Sequence, residues 1–98
     1  MTNLELQIEA WHENNFGKTV KLPETYRKLL EEVGELGQAL MKHDSENIRE
    51  EAGDCALVLA HIIRGACPDH PSLSHAMDMA LNKCERRRFS KQGSKHAA

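Results

Sequence analysis

Apolar residues recur along the chain three and four positions apart, and the pattern is broken by short clusters of glycine, proline or polar residues. Leu4, Ile8 and Trp11 keep helical spacing, with Phe16 just beyond and Gly17 as a terminator. Thr2 with Glu5 three residues later has the form of a capping box, so a first helix is predicted over about residues 3–15. Pro23 suits the first turn of a second helix, which runs to about Lys42. Its apolar stripe is Tyr26, Leu29, Leu30, Val33, Leu36, Gly37 and Leu40, with Glu32 and Glu35 to one side beside Lys28 and Ala39. Gly34 and Gly37 cost about 1 kcal/mol each inside a helix. Their presence leads us to expect a close approach there by another helix or a ligand.

A third helix is expected over about residues 46–66, with Asn47 and Glu50 as a second possible capping box. Ile48, Ala52, Cys55, Leu59, Ile62, Ile63 and Ala66 form its main stripe, but Cys55-Ala56-Leu57-Val58-Leu59-Ala60 is apolar all the way round. A helix that is hydrophobic on every side must be covered on every side. Three short companions could hardly do that, so the pattern implies an oligomer centred on the second and third helices. Pro68 and Pro71 end the segment. A fourth helix over about residues 72–87 then turns Leu73, Ala76, Met77, Ala80, Leu81 and Cys84 inward.

Composition agrees with an all-α chain: 98 residues, 40% hydrophobic but only 4% aromatic, with three prolines and six glycines. That length is one domain, assigned to residues 1–89, followed by a flexible basic tail over residues 90–98. Charge sharpens the division. Residues 1–82 hold seven Lys/Arg against fourteen Asp/Glu, and residues 83–98 hold six Lys/Arg against one Glu. An acidic body with a basic end can serve a metal in one place and phosphate in another. Nucleic acid is a poor partner for such a body, because the positive charge sits on one short segment. Cys55, Cys67 and Cys84 lack the number and spacing of a disulfide framework, which points to a reducing, cytoplasmic setting. No signal peptide or membrane-spanning run is read at the N-terminus or elsewhere.

Candidate chemistry concentrates in two acidic words, Glu31-Glu32-Val33-Gly34-Glu35 and Glu50-Glu51-Ala52-Gly53-Asp54. Each puts carboxylates three apart on one helical face. Between them Lys42-His43-Asp44-Ser45 is a break of the kind that joins antiparallel helices. Folding back near His43 sets Glu32 level with Asp54 and Glu35 level with Glu51. Solvated acidic faces are common on helices, but solvated charge would face away from the core, whereas these words flank the most apolar helix. Like charges at that density call for a hard cation, and an all-oxygen set favours Mg²⁺, or Mn²⁺ in its place, over zinc.

The paired words resemble the EExxE…ExxD signature of MazG-like, all-α nucleoside triphosphate pyrophosphohydrolases, and the likeness extends over roughly residues 4–89. The resemblance implies a four-helix bundle assembled as a homodimer or a dimer-of-dimers homotetramer. The implied reaction is Mg²⁺-dependent hydrolysis of a (deoxy)nucleoside triphosphate to monophosphate and pyrophosphate, in the service of nucleotide-pool cleaning. Carried over by position, Glu32, Glu35, Glu51 and Asp54 are the metal-binding catalytic residues, and Glu31 and Glu50 support them. Lys83-Cys84-Glu85-Arg86-Arg87-Arg88-Phe89 is similar to the basic close of the family's last helix, which implies phosphate binding by Lys83, Arg87 and Arg88. Glu85 departs from the asparagine often found there, which leaves the choice among the arginines open. Trp11 is the implied base-stacking residue, against an alternative role as a core anchor.

Weaker candidates surround these. His12, Asn14 and Asn15 could read a base edge, and Lys18 and Lys21 could touch phosphate. His61 lies on nearly the same face as Asp54 and is expected to be a hydrogen-bonded core or interface histidine. Cys67, His70 and His75 match no standard zinc spacing, and the single ExxH word Glu9-Ala10-Trp11-His12 falls short of the two that a di-iron bundle needs. The competing function is a non-catalytic helical module that keeps the fold and the metal site without turnover.

Overall fold

A computed structural model describes residues 2–90, the side chains of residues 88–90 excepted. The Arg88 side chain and the tail beyond Ser90 therefore lie outside what is described. The chain forms helices α1 (Asn3–Phe16), α2 (Leu22–Lys42), α3 (Ser45–Ala66) and α4 (Leu73–Ser90), with no strand among the described residues. None of these helices is long and apolar enough to cross a membrane.

The helix ends follow from local chemistry. At α1 the Thr2–Glu5 capping box forms as expected: the Glu5 amide donates to Thr2 Oγ1 (3.1 Å) and the Thr2 amide donates to Glu5 Oε1 (3.1 Å). The same Glu5 carboxylate accepts from the Ser72 hydroxyl (2.6 Å), the Ser74 amide (2.9 Å) and the Ser74 hydroxyl (2.8 Å). One side chain thus closes the start of α1 and sits on the positive end of α4. The Ser72 bond above all, with those from Ser74 and Thr2, holds its carboxyl well below the usual range. At α3 the expected Asn47–Glu50 box does not form. Asp44 caps instead, accepting from the amides of Glu46 (3.1 Å) and Asn47 (3.3 Å). His43 turns the chain between α2 and α3 in the left-handed conformation (φ 56°, ψ 29°).

α2 and α3 form the dominant packed pair, with α1 and α4 each laid against α3. The face of α2 turned inward differs from the expected stripe. Thr25, Leu29, Glu32, Leu36 and Ala39, four and three apart, are the residues drawn into the interior. Tyr26, Leu30, Val33, Gly37 and Leu40 repeat the same spacing one position on and are exposed. The single apolar stripe read from sequence is therefore two adjacent seams, of which α3 fills one.

Other expected inward faces also stay open. Leu4 and Phe16 of α1 are exposed, and its buried residue is His12. On α4, Leu73 and Ala76 are half-buried, while Met77, Ala80, Leu81 and Cys84 are exposed. The radius of gyration is 16.0 Å, against about 13 Å for a compact domain of this length.

Glycine placement locates a close approach elsewhere in the single chain. Beyond their own helix, no described residue comes within 4 Å of a Cβ built at Gly34 or Gly37, whereas a Cβ at Gly65 would meet Val20 side-chain atoms at 2.5–2.9 Å. Val20 lies in the α1–α2 connector, so Gly65 is where that connector seats on α3. Gly65→Ala is expected to cost about 1–3 kcal/mol in denaturant unfolding, while Gly34→Ala leaves the folded monomer free of any clash.

Candidate functional site

The antiparallel α2–α3 pair brings Glu32, Glu35 and Glu51 together, each with an oxygen within 4.8 Å of the others. Asp54 stands outside that group but lines, with Glu32, the recess beside it. Glu32 is only 7% exposed. Its Oε1 takes a 3.2 Å ion pair from Lys28, while its Oε2 and the Oε2 of Glu51 are buried with no hydrogen-bond partner. Orphaned carboxylate oxygens of this kind cost free energy unless something supplies positive charge.

The protonation pattern says the same. The Glu35 carboxyl is raised, first by a hydrogen bond to the Glu32 carboxylate, then by repulsion from that charge, by burial and by Glu51. Burial raises Glu51, with Asp54, Glu32 and Glu50 adding repulsion. Without a cation the cluster holds its charge only against this resistance. An all-oxygen set with unpartnered buried oxygens fits a hard divalent ion. Among the described residues no comparable group forms around Cys67, His70 and His75.

Beside the cluster opens a recess of about 380 Å³, lined on the α1 side by Trp11, His12 and Phe16, on the α2 side by Thr25, Lys28 and Glu32, and on the α3 side by Asp54, Leu57, Val58 and His61. Trp11 is 49% exposed and meets Phe16 edge to face at 5.6 Å. The His12 and His61 rings lie 4.3 Å apart. Arg64, one turn past His61, donates to Glu9 O (3.2 Å) and Gly17 O (2.7 Å), which fastens this half of α1 to α3. The base-stacking candidate Trp11 is thus in the wall of the recess, and His12 is with it. Asn15 instead closes its own helix, donating to Trp11 O at 2.9 Å. His61, expected to be hydrogen-bonded, is buried with Nδ1 unpartnered. Periodicity had no means of pairing it with His12, because that contact is set by the α1–α3 crossing.

Glu31 and Glu50 are exposed beside the cluster, Glu31 within 3.9 Å of Lys28. Lys83 and Arg87 are exposed on the distal half of α4 and do not line the recess.

Burial, then the charges of His61 and Arg64, push His12 down to about 4, and burial with Arg64 lowers His61. A histidine depressed from its ordinary 6.5 stabilises the fold fully above that value and loses the contribution as pH falls towards about 4. Glu35 and Glu51, being raised, titrate with the opposite sign. The histidine effect is therefore read by difference. Between pH 6.5 and 4, urea unfolding should show wild type losing more stability than His12→Phe.

No curated protein and no solved structure matches the chain. Its sequence does match the MazG nucleotide pyrophosphohydrolase domain over residues 22–90, which takes in both acidic words and the whole of α2, α3 and α4. With that match covering more than half of its length, and with an all-helical fold around paired acidic helices, the chain belongs to the MazG nucleotide pyrophosphohydrolase family.

Proposed function

We propose that this protein is a Mg²⁺-dependent pyrophosphohydrolase that splits a (deoxy)nucleoside triphosphate into monophosphate and pyrophosphate and so cleans the nucleotide pool. The observation that carries the reading is the buried Glu32, held among Glu35 and Glu51 and opening onto an aromatic recess. Glu32, Glu35 and Glu51 would hold the ion, with Asp54 as the fourth ligand from the next turn of α3. Bound there, Mg²⁺ supplies positive charge against the triphosphate oxygens. Mn²⁺, with similar oxygen preference, is the natural substitute.

The chain's own residues do the rest. Trp11 and Phe16 offer aromatic faces to a base. Glu31 and Glu50, next to the ligands, orient water and the liganding carboxylates. Lys83, Arg87 and Arg88 offer charge to phosphate, from α4 of the same chain or of a second copy. We assign the working form to a homo-oligomer, a dimer or a dimer of dimers. Its support is the unfilled seam Tyr26, Leu30, Val33 and Leu40, together with a surface of 7687 Å², against about 5,700 Å² for a folded monomer of this mass. A reducing cytoplasm suits its free cysteines.

Two measurements test this. In a panel of NTPs and dNTPs with product analysis that separates pyrophosphate from orthophosphate, at least one substrate should yield pyrophosphate. Glu32→Gln and Asp54→Asn should each lower kcat/KM by at least about 10²-fold. No pyrophosphate from any nucleotide would remove the enzymatic reading, and Mg²⁺-dependent stabilisation without turnover would mark a binding module instead.

The second measurement is thermal unfolding. Mg²⁺ should raise the wild-type Tm, because it binds the folded cluster alone. Glu35→Gln should raise the Tm of the metal-free protein, by relieving like-charge repulsion, and abolish the Mg²⁺ response.

A further inference from the structure

A second pair of histidines stands together, at the far end of α3 from the carboxylate cluster. His70, in the connector after α3, and His75, in the first turn of α4, hold their rings 4.8 Å apart and 32° from parallel. Both residues are exposed. Their backbone amides are used, His70 donating to Cys67 O (3.1 Å) and His75 to Ser72 Oγ (3.3 Å). Their ring nitrogens have no hydrogen-bond partner among the described residues.

The surroundings decide the sign of what such a pair can hold. Asp69, Asp78, Ser72 and Ser74 line the same open hollow, and no lysine or arginine does. Two hydroxyls at a helix start would suit an anion, but Glu5 already engages both of them. The formal charges facing the hollow are carboxylates. Unpartnered imidazoles beside carboxylates suit a cation.

Nitrogen donors select a different ion from the all-oxygen cluster. Imidazole suits Zn²⁺ and its first-row neighbours, whereas Mg²⁺ takes oxygen. A tetrahedral ion at about 2.0–2.1 Å from each nitrogen needs its donors about 3.3 Å apart. Exposed rings at the observed separation reach that by side-chain rotation. Asp78, three residues past His75 on the same face of α4, is the third ligand. The three do not converge within 4.8 Å in the described structure, so the aspartate closes on the ion as it binds.

The backbone beneath the pair is already held. The His70 amide closes its turn onto Cys67 O, and Glu5 fastens Ser72 and Ser74 on the other side. Little ordering is left for an ion to impose. Cys67 does not line the hollow. Without it, the step from His70 to His75 has four intervening residues, inside the spacing of about three to five found between zinc-ligand histidines.

We propose that His70, His75 and Asp78 form a second metal site, for a borderline first-row ion of the Zn²⁺ class, which clips the α3–α4 connector to α4. The site shares no residue with the carboxylate cluster and does not rest on the nucleotide assignment.

The untagged full chain, kept in excess Mg²⁺ to occupy the carboxylate cluster, is titrated with Zn²⁺ by calorimetry. One equivalent should bind saturably. His70→Ala and His75→Ala should each weaken it by at least about tenfold, a loss that even an outer-shell partner can cause. Cys67→Ser should leave the affinity unchanged. In ring-nitrogen NMR of the wild type, Zn²⁺ should shift His70 and His75 and leave His12 and His61 in place.

The NMR result needs no variant, so a misfolded substitution cannot shelter the proposal. Absence of saturable binding, unchanged affinity in both folded histidine variants, or ring shifts confined to other histidines each overturn it. A loss in Cys67→Ser as large as in His75→Ala overturns it as well, and gives the ion to the thiolate. Pyrophosphate release is not among the readouts, so failure of this site and failure of the catalytic reading are separate results.

Discussion

A carboxylate occupies the centre of the seam between α2 and α3. Glu32 follows Thr25 and Leu29 and precedes Leu36 and Ala39 on the inward face of α2, a position where a leucine would pack without penalty. Burying an ionised group costs several kcal/mol unless it is paired and its lone pairs are satisfied. Lys28 serves one oxygen and leaves the other without a partner. Glu51 adds a second orphaned oxygen from across the seam, and Glu35 stands beside them. The hairpin is thus organised around a deficit of positive charge, and a stability-driven sequence would have filled this layer with apolar side chains. Cys55, pushed up by burial and by the same carboxylates, feels that field as well.

This constraint explains which parts of the fold were legible in the sequence. Hairpin register could be read from the acidic words alone, because a turn at His43 leaves little freedom in what stands opposite what. Glu35 and Glu51, set level by that turn, do meet in one group, which Glu32 joins, whereas Asp54 stands outside it and shares only the recess with Glu32. Helix ends were legible where the cap is local, as at Thr2–Glu5. They misled where two polar residues compete for the same amides: Asp44 precedes Asn47 and reaches the first free donors before it.

What could not be read depends on pairs distant in sequence. Apolar spacing does not say which partner fills which stripe, so two seams on α2 merged into one, and Leu4 and Met77 were turned inward although they are exposed in the single chain. Gly34 and Gly37 stand out as helix-interior glycines, yet the close approach made within the single chain is at Gly65, whose partner Val20 sits in a connector with no periodicity of its own. Glu5 was legible as a cap of its own helix but not as a clasp for α4, since Ser72 and Ser74 lie some seventy residues away. The His12–His61 contact and the unpartnered His61 nitrogen belong to the same class.

Seen along α3, the site is a graded series. Glu51 and Asp54 come first, then Leu57 and Val58, then His61, and finally Arg64 with its hold on α1. Successive turns pass from anionic to apolar, then to imidazole, then to guanidinium, over about 20 Å of helix. One rigid element therefore fixes the spacing between the carboxylate cluster and the aromatic recess, and Arg64 helps to hold α1 across that recess. α1 buries little apolar surface of its own: Leu4, Trp11 and Phe16 are all exposed. Its place rests on polar anchors, Glu5 near its start and Arg64 at its end, with the neutral histidine stack between them. An acidic cluster with unpartnered buried oxygens, joined by a rigid helix to an aromatic recess that is held but not packed, is the physical form on which the proposed function rests.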